Sequence, residues 1–280
     1  MKSIDDVRQF WETNPLFSGE GTSEIGSKEW FEEWERVYIN DCFATRMPEA
    51  IYTRGLKTDS RILDVGCGPG FWVRHFLKKG FRNVTACDLT TTAVSLAKRS
   101  LELYSLSGAS IVVGNAEALP FESGKFDHVN CQGVIHHTPD TASCIREFHR
   151  VLAPGGTACF SVYHKNFVLR SPKLLRIIST LFSGSIKLEG RGRDQLLADP
   201  SADEIVRRYD GINNPVGKCF TRMEMEKMCS GVFRIAEKRL FFFPARALPF
   251  KINKKLHEWL HDNFGLLIVF RCERLPDSGG

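Results

Sequence analysis

From Arg61 to His164, short apolar runs alternate with stretches of helical spacing. RILDV (Arg61–Val65) reads as a strand, followed by a Gly-rich turn and a helix over Phe71–Lys79. NVTACD (Asn83–Asp88) predicts a second strand, and Thr91 or Thr92 caps a helix running to about Leu103. SIVVG (Ser110–Gly114) and FDHVNC (Phe126–Cys131) predict the third and fourth strands. A helix over Thr141–Val151 stops at A-P-G-G, and TACFSVYH (Thr157–His164) predicts the fifth strand. Strands separated by helices need crossover connections, so the pattern predicts an α/β fold with a doubly wound, mostly parallel sheet. Ligands of such sheets sit beyond the carboxyl ends of the strands, where the strand order reverses.

On either side the rhythm changes. Residues up to about Lys57 are rich in Trp, Phe and Glu, with Trp30, Trp34, Val37, Tyr38 and Ile51 near helical spacing. They predict N-terminal helices, with Trp11, Phe17, Trp30 and Trp34 either lying over a ligand as a lid or packing in the core. Asp59-Ser60 marks a turn before the first strand. After His164, Asn166 to Ile186 reads as a basic amphipathic helix, with Leu174, Leu175, Ile177, Ile178, Leu181 and Phe182 interleaved with Lys173 and Arg176. GINNPVG is a turn signal. Thr221 then opens a helix through Met228, with Glu224 completing a capping box. Phe233–Phe243 and Leu266–Cys272 predict two last strands, which makes a seven-stranded sheet. The expected division is a helical lid over 1–60, a core over 61–164, a helical cap insert over 165–220, a C-terminal helix with the final strands over 221–275, and a disordered tail over 276–280.

Composition narrows the class. The 280 residues are 42% hydrophobic and 25% charged, ordinary for a globular chain and enough to bury a full α/β core. No apolar run approaches the roughly 20 residues of a membrane helix. The start, MKSIDDVRQFWETNP, carries charges where a secretory signal is apolar. Both features predict a soluble, cytoplasmic protein. The nine cysteines form no C-x-x-C pair and no Cys/His cluster at zinc spacing, so no metal site is predicted. Cys67, Cys87, Cys131 and Cys159 fall in or beside predicted strands and read as buried thiols. The net charge of +5 arises in the C-terminal half, at Arg191/Arg193, Arg207/Arg208 and Lys254/Lys255. Such an excess suits a solvated face, an acidic substrate or an anionic membrane surface, and is modest for a nucleic-acid partner. Nothing in the pattern sets an oligomeric state.

The chemistry concentrates in ILDVGCGPG (Ile62–Gly70), where a strand delivers the chain to Gly66, Gly68 and Gly70 and a helix begins at once. Glycines let the backbone bend and a ligand approach, and the helix start offers free N–H groups. Nicotinamide-binding folds share such a turn, but their G-x-G-x-x-G spacing requires glycine where Phe71 stands. Asp88 ends the second strand, where a carboxylate accepts hydrogen bonds from both hydroxyls of a ribose; its structural alternative is a helix cap or surface aspartate.

The third strand runs into GNAEALPF (Gly114–Phe121), the fourth into NCQGVIHHTPD (Asn130–Asp140), and RVLAPGG (Arg150–Gly156) precedes the fifth. Together with the glycine turn and Asp88, this segment resembles the class I S-adenosylmethionine-dependent methyltransferases, in particular the type 11 small-molecule group. WETNPL and DGINNPVGKCFTRMEMEKM resemble segments of such enzymes less specifically. The resemblance implies S-adenosylmethionine as cofactor and a Rossmann-like methyltransferase fold. It implies that Asp64 and the turn Gly66, Cys67, Gly68 and Gly70 hold the methionine part, that Asp88 binds the ribose and that Leu89 packs near the adenine. Asn115 stands where the family has Asp, and its carbonyl oxygen can still accept from the adenine amine. Ala116 would offer its backbone N–H to the ring, and Gln132 would lie near the sulfonium.

Methyl transfer needs alignment and exclusion of water more than covalent help, with a base if the acceptor is a hydroxyl or a protonated amine. His136 and His137 are the candidates, against packing or positioning roles. Tyr163 and His164, Trp11, and the cap arginines Arg191 and Arg193 are weaker substrate candidates, and Arg207 and Arg208 are further cations for an acidic acceptor. The expectation is methyl transfer to a small-molecule acceptor. The competing readings are RNA or protein methylation, a peripheral membrane enzyme acting on a lipid or quinone, and a non-catalytic cofactor-binding module. The membrane reading rests on the helix after Asn166 and on FFFPARALPFKINKK.

Overall fold

The computed structural model describes residues 2–18, 21–44, 47–182, 201–243, 245, 248 and 250–277. The five strands predicted in the core form at β1 (Arg61–Val65), β2 (Asn83–Asp88), β3 (Ala109–Val113), β4 (Phe126–Gln132) and β5 (Leu152–His164). They pair in parallel in the order β3-β2-β1-β4-β5. The central strands β1, β4 and β5 are largely buried on both faces, as strands covered by crossover helices must be, while the edge strand β3 leaves Ser110 and Val113 exposed. The last two strands, β7 (Phe233–Phe241) and β8 (Leu267–Arg274), add antiparallel beyond β5 to complete a seven-stranded path. An eighth strand escaped the sequence reading: β6 (Cys219–Phe220) pairs with Tyr163 and His164, where β5 outruns β4.

The crossover helices are α4 (Phe71–Lys78), α5 (Thr91–Leu103) and α6 (Thr141–Val151). The cap of α5 is Thr90, whose hydroxyl accepts from the Ala93 N–H, one residue before the predicted pair. A-P-G-G does not separate α6 from β5 by a loop. The chain enters the strand at Leu152, and the register slips beside the double glycine. Helix α9 (Arg222–Cys229) carries the predicted Thr221–Glu224 capping box.

The N-terminal region contains α1 (Ile4–Thr13), α2 (Lys28–Phe43) and α3 (Glu49–Thr53). Trp30 and Trp34 stack on each other and are buried, and the Arg74 guanidinium lies 5.8 Å from the Trp34 ring, so these two tryptophans belong to the core and not to a lid. Among the described residues, the amphipathic segment predicted from Asn166 is helical from Pro172 as α7 (Pro172–Phe182), because Asn166 instead caps a turn by accepting from the Leu169 N–H; the end of the predicted helix, 183–186, lies outside the described residues. Among the described residues, α8 (Ala202–Tyr209) and α10 (Lys254–Phe264) are helices that the sequence does not predict. All nine cysteines are free and buried.

Candidate active site

The chain order reverses between β1 and β4, and a cleft opens there at the carboxyl ends of the strands. The turn after β1 is held to β2 by the Gly66 and Cys67 N–H groups, which donate to the Cys87 carbonyl at 2.7 and 3.0 Å. Gly66 has φ +69°, and a Cβ there would come within 2.3 Å of Val134. Gly68 has φ +50° with open space where a Cβ would stand, so the backbone is bare toward the cleft.

Asp88 binds this turn as well as facing the cleft. Its carboxylate accepts from the Gly68 N–H at 2.9 Å and from the Thr90 N–H and hydroxyl at 3.1 and 3.0 Å. Burial pushes its carboxyl above the ordinary range, and the Gly68 and Thr90 hydrogen bonds oppose that shift. Opposite Asp88, Asn115 Oδ1 accepts from the Glu117 N–H at 3.0 Å. This closes a tight turn that sets Ala116 in the cleft wall.

Of the residues predicted to hold a cofactor, Gly66, Gly68, Asp88, Leu89, Asn115, Ala116 and Gln132 line this one cleft. Asp64, Cys67 and Gly70 are set behind it. Gly70 packs on α5, where a Cβ would approach Ala97 at 3.2 Å, and Cys67 is buried. Asp64 is tied to the wall through the sheet. The β1–β4 register places Asp64 beside Asn130, whose Nδ2 donates to Asp64 Oδ1 at 2.7 Å. Gln132, two residues on and therefore on the same face, donates to Asn130 Oδ1 at 3.0 Å. Gln132 Oε1 and Asp64 Oδ2 are buried acceptors without a partner in the protein. Burial lifts the Asp64 carboxyl to about 7, with Asp88 adding to the shift and the Asn130 hydrogen bond opposing it. Asn130 was not singled out by the sequence, because its role exists only through this register.

A second cavity shares Trp11, Leu16, Gln132, Gly133 and His137 with the first. Its remaining wall is mostly aromatic, including Phe17, Tyr38, Tyr163, Tyr209, Phe241 and Phe242. The two predicted histidines stand here on a single 3₁₀ turn, Ile135–His137, pinned by the Thr138 and Thr141 hydroxyls donating to the Ile135 carbonyl. Both nitrogens of His137 are engaged. Nδ1 lies 2.8 Å from the Val216 carbonyl and Nε2 lies 3.2 Å from Asp210 Oδ2. Asp210 also accepts from the Tyr163 hydroxyl at 2.8 Å. His136 differs: its ring is hydrogen-bonded to the Ser161 backbone, while Nδ1 is buried with no partner. Burial, with His137 and Lys218 nearby, holds the imidazole well below its usual range.

Trp11 lies edge-on to His137 at 5.3 Å, between the two cavities. His164 lines neither; it is half-turned toward the Phe220 carbonyl in the β5–β6 overhang. Arg207 is bound to Glu204 and to the Ile212 and Asn214 carbonyls, and Arg208 is bound to Glu204, so neither extends into the second cavity. Arg191 and Arg193 lie outside the described residues. Asp210 was missed because GINNPVG, which follows it, reads only as a turn.

The comparisons agree with this geometry. Residues 63–160 match the model of a methyltransferase domain. The chain is 35% identical over 141 residues to a ubiquinone biosynthesis O-methyltransferase of Colwellia psychrerythraea, covering 46% of this chain and 55% of that protein. It is 30% identical over 143 residues to a demethylmenaquinone methyltransferase of Lactococcus lactis, covering 48% and 57%. The chain thus spans little more than half the length of these curated relatives. Among solved structures, a SAM-dependent methyltransferase of Methanosarcina mazei superposes with a TM-score of 0.58 at 24% identity over 83% of this chain and 99% of that one. A Pyrococcus horikoshii protein superposes with a TM-score of 0.55 at 16% identity over 95% and 99%. With the sheet order, the glycine turn and these matches together, residues 63–160 are similar to a methyltransferase domain, and the chain shares the fold of the solved SAM-dependent methyltransferase.

Proposed function

We propose that this chain transfers the methyl group of S-adenosylmethionine to a small-molecule acceptor that offers an O–H or N–H, by in-line displacement. The observation that carries the reading is the pair of adjoining cavities that meet at Gln132 and His137, one lined by the glycine turn, Asp88 and Asn115 and the other largely aromatic. When bound, the cofactor supplies an electrophilic methyl group on a positively charged sulfur.

The residues of the first cleft fit that group. Asp88 already accepts three hydrogen bonds, and since a carboxylate has about four lone-pair sites it keeps acceptor capacity for one ribose hydroxyl without giving up a contact to the turn. The unpartnered Gln132 Oε1, backed by Asn130 and Asp64, suits the donors of an ammonium group. Asn115 orders its turn and sets Ala116 against the place of the base. Trp11 and Leu16 exclude water from the junction of the cavities.

In the second cavity, His136 is the candidate for taking the proton of the acceptor: it lines the cavity and its buried Nδ1 has no partner, so a bound acceptor that reached that nitrogen would meet a free lone pair, though one made less basic by burial. His137 positions; Asp210 and the Val216 carbonyl fix its ring. The described lining contains Asp41 and Asp210 and neither lysine nor arginine, which supports an uncharged acceptor over an acidic one. The word O-methyltransferase in the name of the Colwellia relative supports a hydroxyl. Calorimetric titration with S-adenosylhomocysteine, with NADH as control, tests the cofactor. Binding of the first alone is the expected result, and binding of NADH alone would refute the assignment. A radiolabelled methyl-transfer screen over uncharged phenols and amines then tests the acceptor.

A further inference from the structure

Helix α10 is inside out. Its buried residues are His257 and His261, while Leu256 is 41% exposed and Trp259 53% exposed. The histidines are locked inward: His257 Nε2 lies 3.0 Å from the Phe243 carbonyl and 3.1 Å from His261 Nε2. The exposed apolar face is therefore fixed by buried polar contacts and cannot rotate inward without breaking them. Single exposed apolar residues are ordinary, but this face is continuous with others. Trp259 packs on Phe264 at 5.4 Å, and Phe264 packs on Phe167, itself half exposed, at 5.4 Å. Phe250, just before the helix, is 58% exposed.

The charges around this face have one dominant sign. Lys251, Lys254 and Lys255 are all exposed at the start of α10. The carboxylates of the helix meet cations: Glu258 lies 4.0 Å from Lys254, and Asp262 lies 3.8 Å from Arg239. Tryptophan and phenylalanine beside a lysine cluster are the residues that seat a helix at the boundary between lipid headgroups and acyl chains. Lysines of this kind gain energy from a negatively charged surface.

We propose that the outward face of α10, with the Phe167–Phe264–Trp259 ring cluster and its flanking lysines, docks on a membrane surface containing anionic lipid. The face stands apart from the cavities, since neither Leu256 nor Trp259 lines either of them. Docking there would let an apolar acceptor pass from lipid to the aromatic cavity, a consequence that rests on the function proposed above; the docking itself does not.

The test is co-sedimentation of the full chain with phosphatidylcholine vesicles and with vesicles that also contain phosphatidylglycerol. Binding to the second, weakened by salt, is expected. Leu256→Glu with Trp259→Glu should lower the affinity by about tenfold or more. Replacing Lys251, Lys254 and Lys255 by glutamine should cost about fivefold per lysine on anionic vesicles. S-adenosylhomocysteine titration of each variant checks folding and keeps the two readings apart, because vesicle binding and cofactor binding can fail separately. Absence of binding to anionic vesicles would overturn the proposal. So would a dimer in solution that the glutamate variant dissolves, since a second copy would then cover the face.

Discussion

The cleft at β1 and β2 is made largely of backbone, and the cavity beside it largely of side chains. The first takes its shape from three short turns after β1, β2 and β3, and its principal charged group, Asp88, is tied to the Gly68 and Thr90 amides. The second gathers Trp11, Tyr38, His136, Tyr163, Asp210 and Phe241 from six separate elements or turns. A backbone cradle keeps its form when side chains change and suits a ligand that does not change. A side-chain cavity is remade by a few substitutions and suits an acceptor that differs from enzyme to enzyme. Damage to the first should therefore appear as lost affinity, and damage to the second as lost rate at unchanged affinity.

The sharpest test of that division is the histidine pair. His136→Ala should lower turnover by about 10²–10⁴, the usual worth of a general base, and leave S-adenosylhomocysteine affinity nearly unchanged. His137→Ala should reduce both modestly, because the ring lines both cavities. Equal turnover in His136→Ala and the parent chain would remove the base from this site.

Asp88→Ala should act in the opposite sense. Loss of hydrogen bonds to a charged group should weaken S-adenosylhomocysteine by about 1.5–3 kcal/mol in calorimetry. The effect includes the turn that Gly68 loses, so Asp88→Asn should recover part of it. Unchanged affinity in the alanine variant would mean that the ribose lies elsewhere.

A smaller effect comes from Asp64. Its carboxyl is lifted to about 7, so it carries charge above that pH and is protonated below it. A ligand ammonium is favoured by the charged form. Affinity for S-adenosylhomocysteine should therefore fall by up to about tenfold per unit as the pH drops below 7. Asp64→Asn should flatten that profile; a slope that survives the substitution would assign it to another group.

The same division explains what the sequence shows of the molecule. Strands β1 to β5 are legible because their burial follows from local apolar runs, and the glycine turn because its spacing is continuous. The cap of α5 shifts to Thr90 because three threonines in a row offer the same chemistry, and only packing chooses among them. Helix α8 is hidden in a polar stretch, and α10 by its inverted face, since periodicity assigns the apolar side inward and the structure turns His257 and His261 there. Asp210 and Asn130 gain their roles from partners far along the chain, Asp210 from His137 and Tyr163 and Asn130 from Asp64. Neither pairing leaves a local signature.

The smallest effect concerns helix α1, which contributes Ile4, Val7 and Trp11 to the wall of the first cleft and would lie against a ligand bound there. Beside Trp11, Glu12 accepts from the Thr91 N–H and hydroxyl at 2.9 and 2.6 Å and from the Thr92 N–H and hydroxyl at 2.8 and 2.7 Å. These donors are at the start of α5, where the helix dipole also favours an anion. The carboxyl is held at about 2; burial opposes the shift, and the Thr91 and Thr92 hydrogen bonds outweigh it. Because the folded value lies below the ordinary 4.5, the stabilisation is complete above that pH and is lost as the pH falls toward 2. Solvent screening at this part-exposed site limits it to about 1 kcal/mol. Glu12→Gln should therefore cost about that much in a denaturant midpoint at pH 7 and almost nothing at pH 2. It should also speed release of S-adenosylhomocysteine in stopped flow by about fivefold, with the methyl-transfer step itself unaltered. A variant with the parent's release rate would show that this contact of α1 is not what holds the ligand in.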